Sequence, residues 1–360
     1  MQPRFTRRTL VLATLAAIGV HGAAQAQSSA DIAKAKAEGT VVIYSTTDQK
    51  QVSPLIKDFE ALYPGIKVEY HDMNSTEVYN RFISESAVGS SADLLWTSSM
   101  DQAVKLVNDG YAQPYKLSDT SKLPDWAIWK NEAFGTTYEP IGIVYNKRLV
   151  DAAEVPKTHA DFTKLLNTKA EKFKGKVTTY DPEKSGVGFM LHSQDAMTNG
   201  AGFWELAKAM GQAGVRVQSS SGTMMERIAS GENLIGYNML GAYALLRAQK
   251  DPSIGVAFPS DYTLVISRVT FIAKQAKHPA AARVWLEYVL SQRGQTVIAN
   301  QADLFAIRSD VQGETTISGL QAKLGSAVKP IPIAPALLTY LDQSKRLEFL
   351  KQWNSVKAPK

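Results

Sequence analysis

Two hydrophobic periods take turns along most of this chain. Residues 40–44, Thr40-Val41-Val42-Ile43-Tyr44, form a short apolar run of strand type. Over 49–63 the period lengthens to that of a helix: Val52, Leu55, Ile56, Phe59 and Leu62 fall on one face, and Pro64-Gly65 stops it. Residues 66–70 read as the next strand. Asn74 followed by Glu77 has the spacing of a capping box and opens a helix whose buried side carries Val78, Phe82, Ile83 and Ala87. Residues 92–96 are a third strand and 100–108 a third helix, with Gly110 its stop. A first helix over 30–37, capped by Ser28 or Ser29, precedes the series. Strands alternating with helices predict a mostly parallel sheet with helices on its faces.

A second alternation follows a long strand over 138–145. It holds a strand at 176–180, helices at 189–198, 203–211 and 224–229, a strand at 234–238 and a helix at 242–249. Residues 254–258 and 262–273 read as extended segments leading back. His278-Pro279-Ala280 then opens a helix with Ala281, Trp285, Tyr288 and Val289 on one face, ended by Gly294. The expected fold class is α/β with two lobes. Residues 27–138 and 265–330 form the first, 139–264 the second, and C-terminal helices occupy 331–360. The chain passes out near Tyr138 and back near Tyr262; two such crossing strands make a hinge and leave a cleft between the lobes.

The N-terminal residues say where the chain works. Arg4, Arg7 and Arg8 without an acid, an apolar run over 10–20, and Ala24-Gln25-Ala26 make residues 1–26 an export signal. The Arg7-Arg8 pair, between Thr6 and Thr9-Leu10-Val11, suits twin-arginine export, and general secretion accommodates it as well. The sequence holds no Cys, so no lipid anchor is expected and no disulfide; a large apolar core must hold the fold, and 44% of residues are hydrophobic. Taking the leader's three Arg from the 40 basic residues leaves 37 against 34 acidic ones. That excess is too small and too scattered for a nucleic-acid surface. No later apolar run approaches the ~20 residues that span a bilayer. The expectation is a soluble periplasmic monomer.

Candidate chemistry sits in the loops. In open α/β sheets ligands lie outside the carboxyl ends of the strands, here Ser45-Thr46-Thr47-Asp48, His71-Asp72-Met73-Asn74 and Thr97-Ser98-Ser99. Hydroxyls and unpaired N–H groups at helix N-termini suit a phosphate or carboxylate. Ser45, Thr46, Thr47, Ser98 and Ser99 are therefore candidate contacts for an anion. In the second lobe Ser185-Gly186-Val187-Gly188 precedes a helix, and Gly186 and Gly188 let backbone approach a ligand closely. Ser219-Ser220-Ser221-Gly222-Thr223 repeats that chemistry, with Ser221 the candidate. Tyr138 at the crossing, Tyr237 and Asn238 at a strand end, Tyr243 at a helix start, and Arg268 with its bidentate fork complete the set.

Each has a plain structural alternative. Ser and Thr before a helix are more often caps than ligand contacts. Tyr243 can pack a helix face, Arg268 can form a surface ion pair, Trp126 and Trp129 can pack a helix, and Met224-Met225 can be core. His71 and His192 suit polar or hydrogen-bonded positions, and Glu139-Pro140 shapes the hinge. His71, His159, His192 and His278 have no metal-ligand spacing, so neither a resident metal nor a cofactor is expected. An enzyme on this fold is the alternative from another class. It has no nucleophile elbow, no Cys and no Ser/His/Asp grouping behind it.

The chain resembles periplasmic solute-binding proteins of ABC importers, in the subgroup that binds ferric iron and phosphorylated organic solutes. The resemblance covers nearly the whole chain after the leader. It rests on Val41-Val42-Ile43-Tyr44-Ser45, the helix end Phe59-Glu60-Ala61-Leu62-Tyr63-Pro64-Gly65, Ala92-Asp93-Leu94-Leu95-Trp96 and Gly142-Ile143-Val144-Tyr145-Asn146-Lys147. Ser230-Gly231-Glu232, Lys277-His278-Pro279-Ala280-Ala281-Ala282 and Ser291-Gln292-Arg293-Gly294-Gln295 follow in order. It implies a type II two-lobed receptor that closes over one solute and delivers it to a membrane permease with its ATPase. Ferric members of this family commonly use two adjacent tyrosines at the start of the helix that here reads Ala242-Tyr243-Ala244. Only Tyr243 is present, and Tyr237, six residues earlier, does not restore the pair. Ferric iron favours anionic oxygen ligands, so the expected solute is a small phosphorylated or carboxylated organic anion, with ferric iron as the alternative.

Overall fold

The structure, a computed structural model, describes residues 31–357. The leader, the Ser28 and Ser29 caps and the last three residues lie outside the described residues. A helix over 31–38 leads into β1 (Thr40–Ser45), followed by β2 (Lys67–Asp72), β3 (Leu94–Thr97), β4 (Ile128–Trp129) and β5 (Ala133–Gly135). The second part of the chain supplies β6 (Glu139–Asn146), β7 (Val177–Tyr180), β8 (Arg216–Gln218), β9 (Ile235–Leu240), β10 (Ile254–Ala257) and β11 (Thr263–Ile266). Then come β12 (Val269–Ile272) and β13 (Val328–Pro330). Two mixed sheets result, ordered β2-β1-β3-β12-β5-β4 and β13-β11-β6-β9-β7-β8, with β10 also on β6. The two-lobed α/β class read from the sequence is the class observed.

The first alternation forms as its periods require, with helices Gln49–Leu62, Ser75–Ser86 and Met100–Asn108 between and after parallel β1, β2 and β3. The capping box closes: Glu77 N–H donates to Asn74 Oδ1 at 3.0 Å and Asn74 N–H to Glu77 Oε2 at 3.2 Å. The sheet is mixed because the returning strand β12 pairs antiparallel with both β3 and β5.

Three boundaries differ from the sequence reading. Residues 262–273 are two strands in different sheets: Val265 and Ile266 still pair with Pro140 and Glu139, so the return crossing lies at Ser267-Arg268 rather than at 265. Residues 328–330 pair with Thr263–Val265, which puts them in the second sheet rather than the first lobe. Gly294 ends no helix. Ser291 caps a new one, Gln292–Asn300, by accepting from Gly294 N–H at 3.1 Å. A Cβ on Gly294 would lie 2.0 Å from the Tyr288 carbonyl, so close packing of the two helices requires glycine there.

Core packing follows the two sheets. Val41, Ile43, Leu94, Trp96 and Phe271 pack with Phe59, Phe82 and Trp285 in the first. Ile143, Val177, Phe189, Phe203 and Tyr237 pack in the second, which the C-terminal helix Gln343–Lys357 completes with Phe349 and Trp353. That helix docks so closely on Ala201–Gln212 that a Cβ on Gly211 would meet the Val356 carbonyl at 1.8 Å.

The lobes also touch beside the cleft. Val187 N–H donates to Ser75 Oγ at 3.1 Å, and Thr76 Oγ1 donates to the Lys184 carbonyl at 3.0 Å. At the hinge, Thr136 N–H and Oγ1 both donate to the Arg268 carbonyl, at 2.9 and 2.8 Å. Thr137 Oγ1 accepts from Arg268 N–H at 2.9 Å and donates to Glu139 Oε1 at 2.8 Å. These groups are fully buried, and buried polar groups are stable only when paired in this way.

Candidate functional site

Between the lobes lies a cleft of about 460 Å³, within the range of about 300–1,000 Å³ usual for small-molecule sites. From the first lobe, the loops after β1, β2 and β3 line it with Thr46, Asp48, Asp72, Asn74 and Ser98, and the helix starts add Lys50, Gln51 and Ser75. The second lobe faces them with Tyr180 at the end of β7, the turn Ser219–Gly222, and one face of helix Gly241–Lys250: Tyr243, Leu246, Arg247 and Lys250. Strand-end loops converge because parallel β1, β2 and β3 all point their carboxyl ends the same way.

The floor is wired by hydroxyls. Thr46 Oγ1 accepts from Ser98 N–H at 2.8 Å and lies 3.1 Å from Ser98 Oγ. Beneath it, Thr47 Oγ1 accepts from Arg268 Nη1 at 3.0 Å, and the Thr47 carbonyl accepts from Tyr70 at 2.6 Å. In the opposite wall Ser220 caps helix Ser221–Ser230, accepting from Thr223 N–H at 3.2 Å. The N–H groups of Ser221 and Gly222 are left at the first turn without an intrahelical acceptor. Ser221 Oγ lies buried beside the Tyr180 hydroxyl, and Gln51 Oε1 and Arg247 Nε are buried without a hydrogen-bond partner. Burial holds the Tyr180 phenol above its ordinary range and pushes Tyr243 up to about 12, so both stay protonated at neutral pH.

The structure divides the sequence candidates three ways. Thr46, Ser98, Ser221 and Tyr243 line the cleft. Ser45, Thr47, Ser99 and Arg268 lie behind its wall. Ser45 Oγ accepts from Thr47 N–H at 3.0 Å and Ser99 Oγ donates to Asp101 at 3.0 Å, so their hydroxyls serve the backbone and a neighbouring carboxylate. Arg268 is fully buried, its Nε 2.7 Å from Glu139 Oε1 and its Nη2 3.2 Å from Oε2. Its fork is spent on the hinge, not on a ligand, and it is no surface pair.

The remaining candidates have structural duties away from the cleft. Tyr138 packs by Trp126, ring centroids 5.9 Å apart. Ser185 caps its helix through Gly188 N–H at 3.2 Å. A Cβ on Gly188 would strike Tyr180 Cβ at 2.4 Å, so packing requires that glycine, whereas one on Gly186 would meet only the movable end of Gln102 at 2.7 Å; neither glycine lines the cleft. Tyr237 and Asn238 belong to a buried cluster on Asp195, which accepts from the hydroxyls of Tyr237 and Tyr262 and from Asn238 Nδ2 at 3.2 Å. Asn238 sits at φ +54°, a left-handed conformation that asparagine tolerates better than most residues.

Sequence reading missed Tyr180, Gln51 and the cations Lys50, Arg247 and Lys250. Tyr243, Arg247 and Lys250 recur at helical spacing, a signal that could have placed them on one face with Tyr243. Among the described residues no group of His, Cys, Asp and Glu is arranged to hold a metal, and no helix is long and apolar enough to cross a membrane.

Residues 54–320 match the family described as bacterial extracellular solute-binding protein. The substrate binding protein of an ABC transporter from Agrobacterium tumefaciens is similar at 40% identity and TM-score 0.84, over 88% of this chain and 94% of that one. Two more distant structures share the fold. The periplasmic binding protein AfuA from Actinobacillus pleuropneumoniae, with exogenous fructose-6-phosphate bound, has TM-score 0.71 at 18% identity, over 88% and 97%. The ferric binding protein from Campylobacter jejuni has 0.70 at 22%, over 88% and 99%. No curated protein sequence matches the chain.

Proposed function

The chain belongs to the bacterial extracellular solute-binding protein family, and from that premise we propose that it captures a small phosphorylated or carboxylated organic anion for an ABC importer. Solute-binding proteins of ABC importers hand their ligand to a permease driven by an ATPase, and the chain's relatives are binders, not enzymes. The carrying observation is the convergence in one cleft of the Ser221 and Arg247 side chains and the first-turn N–H groups of helix Ser221–Ser230, with Lys50 and Lys250 at the lining. All are donors or cations, and helix N-termini favour anions by roughly 0.3–1 kcal/mol each.

In this reading the lobes close about the crossings at 136–138 and 267–268. The protein works as a periplasmic monomer, exported by the leader through the general or the twin-arginine route. A thermal-shift screen of phosphorylated and carboxylated metabolites tests it, since a ligand of the folded state raises Tm by mass action. No shift with either class removes the proposal.

Ferric iron is the second reading, favoured by two phenols, Tyr180 and Tyr243, on the same cleft beside Asp48. Against it stand the raised phenol pKa values and the neighbouring cations, which oppose a trivalent cation. Strong visible absorption on adding ferric citrate, from phenolate bound to iron, would restore iron as the solute.

A further inference from the structure

We infer that Asp195 is a positioning residue for solute capture, resting on the reading of the cleft above as the solute site. Its carboxylate pins a β-bulge in β9, and the bulge aims the second-lobe walls of that cleft. Gly142 pairs with Met239 and Val144 with Gly236, so Tyr237 and Asn238 together stand opposite Ile143. Two residues against one make a β-bulge, which bends its strand, re-aims side chains and is common beside functional sites.

Successive side chains of a strand point to opposite faces, yet Tyr237 and Asn238 both donate to the Asp195 carboxylate. Beyond them the alternation is shifted by one residue. Gly236 and Met239 consequently share a face: a Cβ on Gly236 would lie 2.4 Å from Met239 Sδ and 2.9 Å from Ile228 Cδ1. Ile228 belongs to helix Ser221–Ser230, and β9 runs directly into helix Gly241–Lys250. Those two helices carry Ser221, Met225, Tyr243 and Arg247 to the cleft, so both walls follow from where β9 ends. Asn238 supplies the left-handed backbone at the bulge, φ +54°, a conformation few residues other than glycine and asparagine hold. Asp195 is fully buried on helix Gly186–Asn199 and accepts a third bond from Tyr262, the residue before β11. One carboxylate thus ties the bulge to the strand that leads to the hinge.

The chain has no cysteine, so spin labels can be placed in pairs and read by double electron–electron resonance on the full mature chain without solute. Lys208→Cys with Gln249→Cys, both exposed, reports the aim of helix Gly241–Lys250 within the second lobe. Lys57→Cys with Gln249→Cys reports the span across the cleft. Asp195→Asn keeps the shape but turns an amide toward three donors, and Asn238→Val disfavours the left-handed backbone. Each should shift the 208–249 distance by about 3 Å, the length of one strand residue, and broaden the span across the cleft. Asn238→Gly alone should leave both distances as in the parent. Added to Asp195→Asn it should restore them, because glycine holds that backbone unaided. Should Asp195→Asn fail to fold, the double variant Tyr237→Phe, Asn238→Ala removes both β9 donors instead, with Tyr237→Phe, Asn238→Gly as its rescue. Parental distances with only a lowered Tm, or a shifted distance that Asn238→Gly does not restore, overturn the inference. Calorimetry with inorganic phosphate tests the site itself: affinity should fall in Asp195→Asn and recover with Asn238→Gly. No phosphate binding by the parent counts against the anion reading alone, and the distances still decide the role of Asp195.

Discussion

The Tyr243 hydroxyl reaches across the cleft to Asp48, 3.2 Å from its backbone nitrogen and 3.3 Å from Oδ1. It accepts from the N–H and donates to the carboxylate, so one side chain of the second lobe closes onto the N-terminus of a first-lobe helix. Tyr243→Phe keeps the ring, which lies 5.1 Å from the Arg268 guanidinium, and removes only this tie. Ligand affinity should fall by about 1–1.5 kcal/mol, with Tm nearly unchanged. Calorimetry paired with solution scattering checks it; unchanged affinity and unchanged compaction would show that the contact does not help hold the lobes together.

Thr46 and Ser185 should separate in their effects. Thr46→Ala leaves Ser98 N–H without its acceptor at the cleft floor, and affinity should drop by about 1–3 kcal/mol. Ser185→Ala removes a helix cap outside the cleft and should cost about 1 kcal/mol of stability with affinity intact. Calorimetry and thermal melts on both variants give the comparison. A binding defect in Ser185→Ala would return that loop to the site.

Glu139→Gln leaves the Arg268 guanidinium buried with a neutral partner. Breaking a buried pair by removing one charge costs about 3–5 kcal/mol, whereas replacing both charges with apolar groups is far milder. The denaturant midpoint should therefore fall further for Glu139→Gln than for the double variant Glu139→Leu, Arg268→Met. Equal losses would mean the pair contributes through shape alone.

Burial lowers the His192 pKa to about 4, from 6.5. The unfolded chain takes up this proton at higher pH than the folded one, so the contribution to stability is complete above about pH 6.5. It is lost as pH falls toward 4, by about 3 kcal/mol across that window. His192→Gln should flatten this acid-side slope relative to the parent, measured as unfolding free energy against pH. Parallel curves would show that His192 is not neutral in the folded state.

Gly211→Ala would place its methyl carbon only 1.8 Å from the Val356 carbonyl oxygen. The C-terminal helix must shift, withdrawing Phe349 and Trp353 from the second core. Losses of about 1–3 kcal/mol are usual for such overpacking. Tm should fall, and proteolysis should open the C-terminal segment first. A variant as stable as the parent would mean the helix slides at no cost.

The periods along residues 40–108 were enough to place three strands and three helices within a residue or two, and Asn74 with Glu77 to place a cap, because these depend on neighbours in the chain. The two-lobed class was legible for the same reason: strand and helix patterns alternate, break and resume. Which hydroxyl faces the cleft was not. Ser45 and Thr46 are adjacent, yet one turns into its own backbone and the other into the cleft, and Ser185 and Ser221 look alike in sequence while one caps a helix and the other lines the cleft. Gly188 and Arg268 carried the right chemistry for a ligand, but packing against Tyr180 and pairing with Glu139 had already used it. A site made where residues 46–98 meet residues 180–250 is decided by contacts between segments far apart in the chain. Local spacing therefore set the elements, and only their docking determined which polar groups were left to bind.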